Sequence, residues 1–243
     1  MTAFRSICAL ALAAASLTAQ AAPVSPAFDT FGNLAGATFG GTGVPTDPTA
    51  ITRAGNVTTG LTVFQRYFNQ APSNNGAGVF SAPAGLNDGL GTPSRPIGAT
   101  WGFGWYVDVG AQAKLSAYQV DLYYDADPGA STDFSKYGRL NITAGLAVAG
   151  QPGNFDLNPY LSLAQSLGNL YDYNNSFLTI ITAPQLDFSN EPGEYGMLLR
   201  VADLEGNPVA TSAVLINVVP APPSLALLGL ALAGLTVFRR RAG

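Results

Sequence analysis

The nine residues WGFGWYVDV, 101–109, decide how this chain is read. Trp101, Phe103, Trp105, Val107 and Val109 alternate with Gly102, Gly104, Tyr106 and Asp108. An apolar face repeating every second residue is the signature of a half-buried antiparallel strand. The same period recurs on either side. Tyr118, Val120, Leu122 and Tyr124 alternate with Gln119, Asp121 and Tyr123. Leu140, Ile142, Ala144, Leu146 and Val148 alternate with Arg139, Asn141, Thr143, Gly145 and Ala147, which predicts another strand. Further on, Tyr195, Met197, Leu199 and Val201 form one face, residues 204–207 read as a turn, and 209–218 run back as the partner strand. The run FLTIITA, 177–183, reads as one more strand. Within the Gly- and Pro-rich stretch 29–100, residues 61–68 are the convincing apolar run.

One segment departs from this pattern. Asn158-Pro159 offers a cap with proline at the first helical position, and a short helix is expected over 160–170. Roughly seven to ten strands in a domain of this size point to an all-β fold, an antiparallel β-sandwich of jelly-roll or immunoglobulin-like type.

Composition narrows the function. The 243 residues include 11 Lys+Arg, 15 Asp+Glu, no His and a single Cys. Without histidine there is no Ser-His-Asp triad, no imidazole acid or base and no His metal ligand. A net charge of −4 lacks the basic face that a nucleic-acid binder needs.

The two ends read as targeting segments. Residues 1–21 have the three parts of a secretory signal peptide: Arg5, an apolar run over 7–17, and Ala19-Gln20-Ala21, which fits the small-x-small cleavage rule. Export through the Sec machinery is therefore expected, with Ala22 first in the mature chain. Cys8 leaves with the signal, so the exported part has no disulfide and no thiolate. At the other end, Val219-Pro220-Ala221-Pro222-Pro223 and Ser224 precede fourteen residues, LALLGLALAGLTVF, and then Arg239, Arg240 and Arg241. As a helix the apolar run is roughly 21 Å long, a thin match to a ~30 Å hydrocarbon core. The arginines orient it with its tail in the cytoplasm and everything upstream outside. Between the signals, residues 22–217 form the exported domain, with seven basic and fifteen acidic side chains, a net of −8.

The tripartite end, residues 218–243, resembles the PEP-CTERM sorting signal of Gram-negative bacteria. The matching residues are Val219, Pro220, Ala221 and Pro222, then 225–238, then Arg239 to Arg241. Ala221 stands where that signal most often has Glu. The resemblance implies an exosortase as partner, a transient stay in the inner membrane, cleavage near the proline motif, and a final place at the cell surface or outside the cell. It covers only the last 25 or so residues.

Three features of the middle carry candidate chemistry. Asp125 and Asp127 lie two apart in YDADPG, 124–129, with Asp121 before and Asp133 after. Such a turn can share a Ca²⁺ among its oxygens, but an EF-type loop would need Gly at position six and Glu at twelve, and an Asp-Pro-Gly turn is the plainer reading. Trp101 and Trp105 would stand roughly 13 Å apart on one strand face, a spacing that suits sugar stacking. They share that face with Phe103, Val107 and Val109, so a core stripe is expected, with Tyr106 opposite as the ligand candidate. Tyr171 and Tyr173 beside Asn174-Asn175 form a second aromatic patch. For glycoside hydrolysis two carboxylates must face each other. The three glutamates, Glu191, Glu194 and Glu205, all sit beside turns with no evident partner, so no enzyme is expected. The expected function is structural or adhesive, at the cell surface or in an extracellular matrix. The alternative is a carbohydrate-binding module that holds exopolysaccharide through exposed aromatics.

Overall fold

A computed structural model describes residues 23–37, 39, 44–65, 71–87, 98–125, 127–148, 160–165 and 191–220. Among them the chain forms β1 (Thr30–Gly32), β2 (Thr49–Ala54), β3 (Val57–Gln65), β4 (Ser73–Asn74), β5 (Val79–Pro83), β6 (Leu86–Asn87), β7 (Gly98–Ala99) and β8 (Trp101–Asp108). There follow β9 (Gln119–Tyr124), β10 (Gly138–Asn141), α1 (Ile142–Val148), β11 (Tyr160–Gln165), β12 (Gly193–Ala202) and β13 (Pro208–Val219). One sheet has the order β1-β2-β3-β8-β11 and the other β10-β9-β12-β13-β5-β4, with β6 and β7 as a separate ribbon. The protein is all-β, with two sheets facing each other across one core.

The period-two residues build that core. Trp101, Phe103, Trp105, Val107 and Val109 point inward from β8 and its end, and meet Val120, Leu122 and Tyr124 of β9 and Tyr195, Met197, Leu199 and Val201 of β12. Both tryptophans are fully buried, and Trp101 packs against Tyr195 with ring centroids 5.8 Å apart and the planes tilted by 53°. Burial of this kind, at about 25 cal/mol per Å² of apolar surface, is what a chain without disulfides relies on. Pairing is antiparallel except that β13 runs parallel to β5, Leu215 opposite Val79 and Val219 opposite Pro83.

The reverse face of the β1–β11 sheet is covered as well. Leu34, Ala37 and Phe39 fold over it and bury Ile51 and Tyr106 in a second, smaller cluster. Gly60 and Gly104 leave room for this cover: a Cβ on Gly60 would lie 2.6 Å from the Leu34 side chain, and one on Gly104 2.6 Å from the Phe39 ring.

Two segments fold otherwise than their sequence pattern predicts. The strand expected over 140–148 ends at Asn141, and 142–148 are helical. Asn141 is the reason: its Oδ1 accepts the Ala144 N–H at 2.7 Å and the Thr143 hydroxyl at 3.1 Å, the side-chain cap that starts a helix. The helix expected over 160–170 is instead the strand Tyr160–Gln165 where it is described, paired antiparallel with β8 from Tyr160 opposite Asp108 to Gln165 opposite Phe103. An open edge of β8 outweighs a local cap signal. The strand expected at 177–183 lies outside the described residues, as do both targeting segments except Val218, Val219 and Pro220. Among the described residues no helix is long and apolar enough to cross a membrane.

Both ends of the described domain come out at one pole. Val218 pairs with Gly193, and the next residue, Glu194, holds the 128–131 loop through its N–H to the Pro128 carbonyl and its Oε1 to the Ser131 N–H. That loop leads to Asp133, which bridges to Pro23. The opposite pole carries the tight turn from Asp203 to Asn207, closed by the Asp203 N–H to the Asn207 carbonyl.

Candidate functional site

The strand register sets up a small lattice on the outward face of β10, β9 and β12. Asn141, Asp121 and Arg200 lie in one row, and Arg139, Tyr123 and Leu198 in the next. Asp125 and Gly196 continue it beyond β9, joined by the Asp125 N–H to the Gly196 carbonyl at 2.8 Å.

Asp121 is fully buried beneath two arginines. Arg139 grips it with Nε and Nη2, both at 3.0 Å, and Arg200 adds Nη2 to Oδ2 at 3.2 Å. The Arg139 side chain is 46% exposed and that of Arg200 30%, so one buried acid anchors two cations that reach solvent. Their guanidinium carbons lie 5.9 Å and 5.6 Å from the Tyr123 ring centroid, within cation–π range. Among the described residues, the buried Nε of Arg200 has no hydrogen-bond partner. Beside this cluster an aromatic row runs from Tyr123 to Phe134 at 5.0 Å and on to Tyr137 at 5.3 Å, all three partly exposed. The Tyr137 hydroxyl reaches over β12, where a Cβ at Gly196 would collide with it.

The Asp125–Asp127 turn is built from its own carboxylates. Asp125 Oδ1 accepts the Asp127 N–H at 3.0 Å, and Asp127 Oδ1 accepts the Gly129 N–H at 2.8 Å. Asp133 repeats the motif, accepting from the Ser135 N–H at 2.8 Å. These are Asx turns, in which a short side chain satisfies the backbone two residues on. Asp125 is only 3% exposed, and burial lifts its carboxyl pKa to about 6. Tyr137 hydrogen-bonds to it, and burial pushes that phenol upward. Asp121 faces the arginines and Asp133 caps its own turn, so neither joins Asp125 and Asp127 around a common point. Among the described residues no group of three or more His, Cys, Asp or Glu side chains is placed to hold a metal.

Tyr106 proves a poor ligand platform. It is 6% exposed, packed with Leu34, Ala37 and Phe39, and its hydroxyl is 3.3 Å from Asp108 Oδ2. The sequence shows the alternation that turns Tyr106 away from the core but not the segment that folds over it. Tyr171 and Tyr173 lie outside the described residues. The glutamates stay apart: Glu191 and Glu194 flank the start of β12, while Glu205 stands in the turn after its end.

Of the sorting motif, Val219 and Pro220 are described. Val219 is the last residue of β13, 46% exposed, and its carbonyl accepts the Ala84 N–H at 2.7 Å. Ala221, Pro222 and Arg239 to Arg241 lie outside the described residues, as do Ala19 and Ala21.

The arginine–aromatic face was not singled out in the sequence. Its signal was present: Arg139, Asp121, Tyr123 and Arg200 all occupy polar positions of alternating strands, but only the pairing register brings them together. No protein-family model matches the chain, and no curated protein matches it.

Proposed function

We propose that this is an exported, non-enzymatic protein of the cell surface or extracellular matrix, a β-sandwich of jelly-roll or immunoglobulin-like type delivered by a C-terminal sorting signal. The observation that carries this reading is the tail itself: Val219-Pro220-Ala221-Pro222, the apolar run 225–238, and Arg239 to Arg241. Supporting it, β13 ends at Val219, so the proline motif follows the last described strand without an intervening linker. In this reading the Sec machinery exports the chain, the signal is removed after Ala21, the tail pauses in the inner membrane, and an exosortase cuts near the motif. Prolines keep the segment extended for that cut.

Mass spectrometry of the protein recovered from the cell surface tests the proposal. The expected form lacks Arg239 to Arg241, and a strain without exosortase accumulates uncut chain. Recovery of peptides ending at Gly243 from surface-displayed protein would overturn it. A second reading, carbohydrate binding, is favoured by the exposed arginine–aromatic face of β9, β10 and β12.

A further inference from the structure

We propose that the outward face of β9, β10 and β12 binds an acidic glycan, a polysaccharide bearing uronate carboxylates, with Arg139 and Arg200 receiving the carboxylate and Phe134 and Tyr137 stacking on the sugar ring. The proposal rests on the carbohydrate-binding reading above and gives it a site and a ligand class.

Charge distribution is the first argument. Across 22–217 acids outnumber bases by fifteen to seven, yet Lys136, Arg139 and Arg200, three of those seven, gather on or beside this face. Asp121, which holds the two arginines, is fully buried, while Asp127, Asp133 and Glu194 stand at the edge of the face. Two arginines on one carboxylate leave the cluster with an excess of one positive charge, carried on side chains that reach solvent, in a domain of net −8. An anion finds its complement there.

Preorganisation is the second. A surface arginine ordinarily loses much of its binding energy to the cost of ordering its side chain. Here Asp121 and Tyr123 have already ordered both. Arg139 commits Nε and Nη2 to Asp121, and Nη1 has no partner among the described residues. The planar fork that remains suits a carboxylate.

The aromatic row is the third. Tyr123 of β9 meets Phe134 at 5.0 Å, and Phe134 meets Tyr137 at 5.3 Å, in the turn that leads to β10, with the rings tilted by 47° and 48°. A partly exposed ring gives the apolar face of a pyranose a surface to stack on. A cation pair next to such a row matches carboxylates borne on sugar rings better than a phosphate polymer, whose charges are not carried on a ring that can stack.

Affinity electrophoresis of the purified full chain through gels containing polygalacturonate, neutral dextran or dextran sulfate tests this. The expected result is retardation by polygalacturonate alone. Arg139→Lys, which keeps a cation over the buried Asp121 but loses the planar fork, and Phe134→Ala, made separately, should each weaken it at least tenfold, with a thermal melt of each variant showing that it is folded in the gel. Equal retardation by dextran, equal retardation by dextran sulfate, or none by polygalacturonate would each overturn the proposal. So would undiminished retardation of both variants, although carbohydrate binding would then survive at another site. The mass of the surface form decides the sorting reading independently of all these outcomes.

Discussion

Thr59 and Ser212, one from each sheet, share a 2.8 Å hydrogen bond inside the core. Ser212 also reaches Thr52 Oγ1 at 3.1 Å, and Thr52 donates to the Thr211 carbonyl at 2.7 Å. Each of these three hydroxyls has a partner, so their burial costs little until one is removed. Ser212→Ala leaves Thr59 stranded and should cost about 1–2 kcal/mol. Thr59→Val in the same background should recover part of that loss, read as a non-additive double-mutant cycle in urea unfolding. Strict additivity would mean the two hydroxyls do not interact.

Gly104 and Phe39 are coupled by space. A Cβ at residue 104 would sit 2.6 Å from the ring and 3.0 Å from the Thr62 methyl. Gly104→Ala should therefore destabilise by about 1–3 kcal/mol through overpacking. Shrinking the cover with Phe39→Leu should make the same alanine cheaper. A Gly104→Ala protein as stable as the parent would mean that Phe39 does not pack on β8.

The Asp125 carboxyl, lifted by burial from an ordinary 3.8 to about 6, favours its neutral form in the fold. The stability it contributes is complete below pH 4 and is lost as pH rises through 6. Asp125→Asn keeps an oxygen for the Asp127 N–H and cannot ionise. The variant should gain on the parent as pH climbs from 4 to 7, ending about 1–2 kcal/mol ahead after solvent screening is discounted. Thermal melts of both proteins across that range give the difference directly. A parent that gains on the variant with rising pH would reverse the sign and refute the assignment.

Calcium should not matter to this turn. Asp125 Oδ1 and Asp127 Oδ1 are already spent on the Asp127 and Gly129 N–H groups. Millimolar Ca²⁺ should leave the melting temperature unchanged. A rise that Asp127→Asn abolishes would establish a site by binding linkage.

What was legible in the sequence was whatever depends on a period of two. Trp101, Trp105, Leu122 and Leu199 are core residues because their neighbours alternate, and the β12–β13 hairpin follows from the 204–207 turn. Two local readings failed where a longer-range or subtler contact decided. Asn141 caps a helix inside an alternating pattern that continues unbroken to Val148, and β8 draws 160–165 into a strand despite a proline cap signal. The candidate face was illegible for a different reason. Asp121 is 18 residues from Arg139 and 79 from Arg200, and no spacing rule joins positions that meet only through strand order. The Tyr106 position was visible, but its cover comes from Leu34, Ala37 and Phe39, in a Gly- and Ala-rich stretch of sequence with no strong pattern of its own.

Pro23 and Val219 leave the domain at the same pole, and the Asp203–Asn207 turn closes the other. The fold is thus nearly a closed circuit whose opening happens to lie there. A circular permutant that joins 219 to 23 through a short flexible linker and begins at Glu205 would keep every strand pairing of both sheets. By the same geometry both connections to a host protein would enter from one pole, while the Leu204 tip, 62% exposed, stands at the far end as a place to carry cargo.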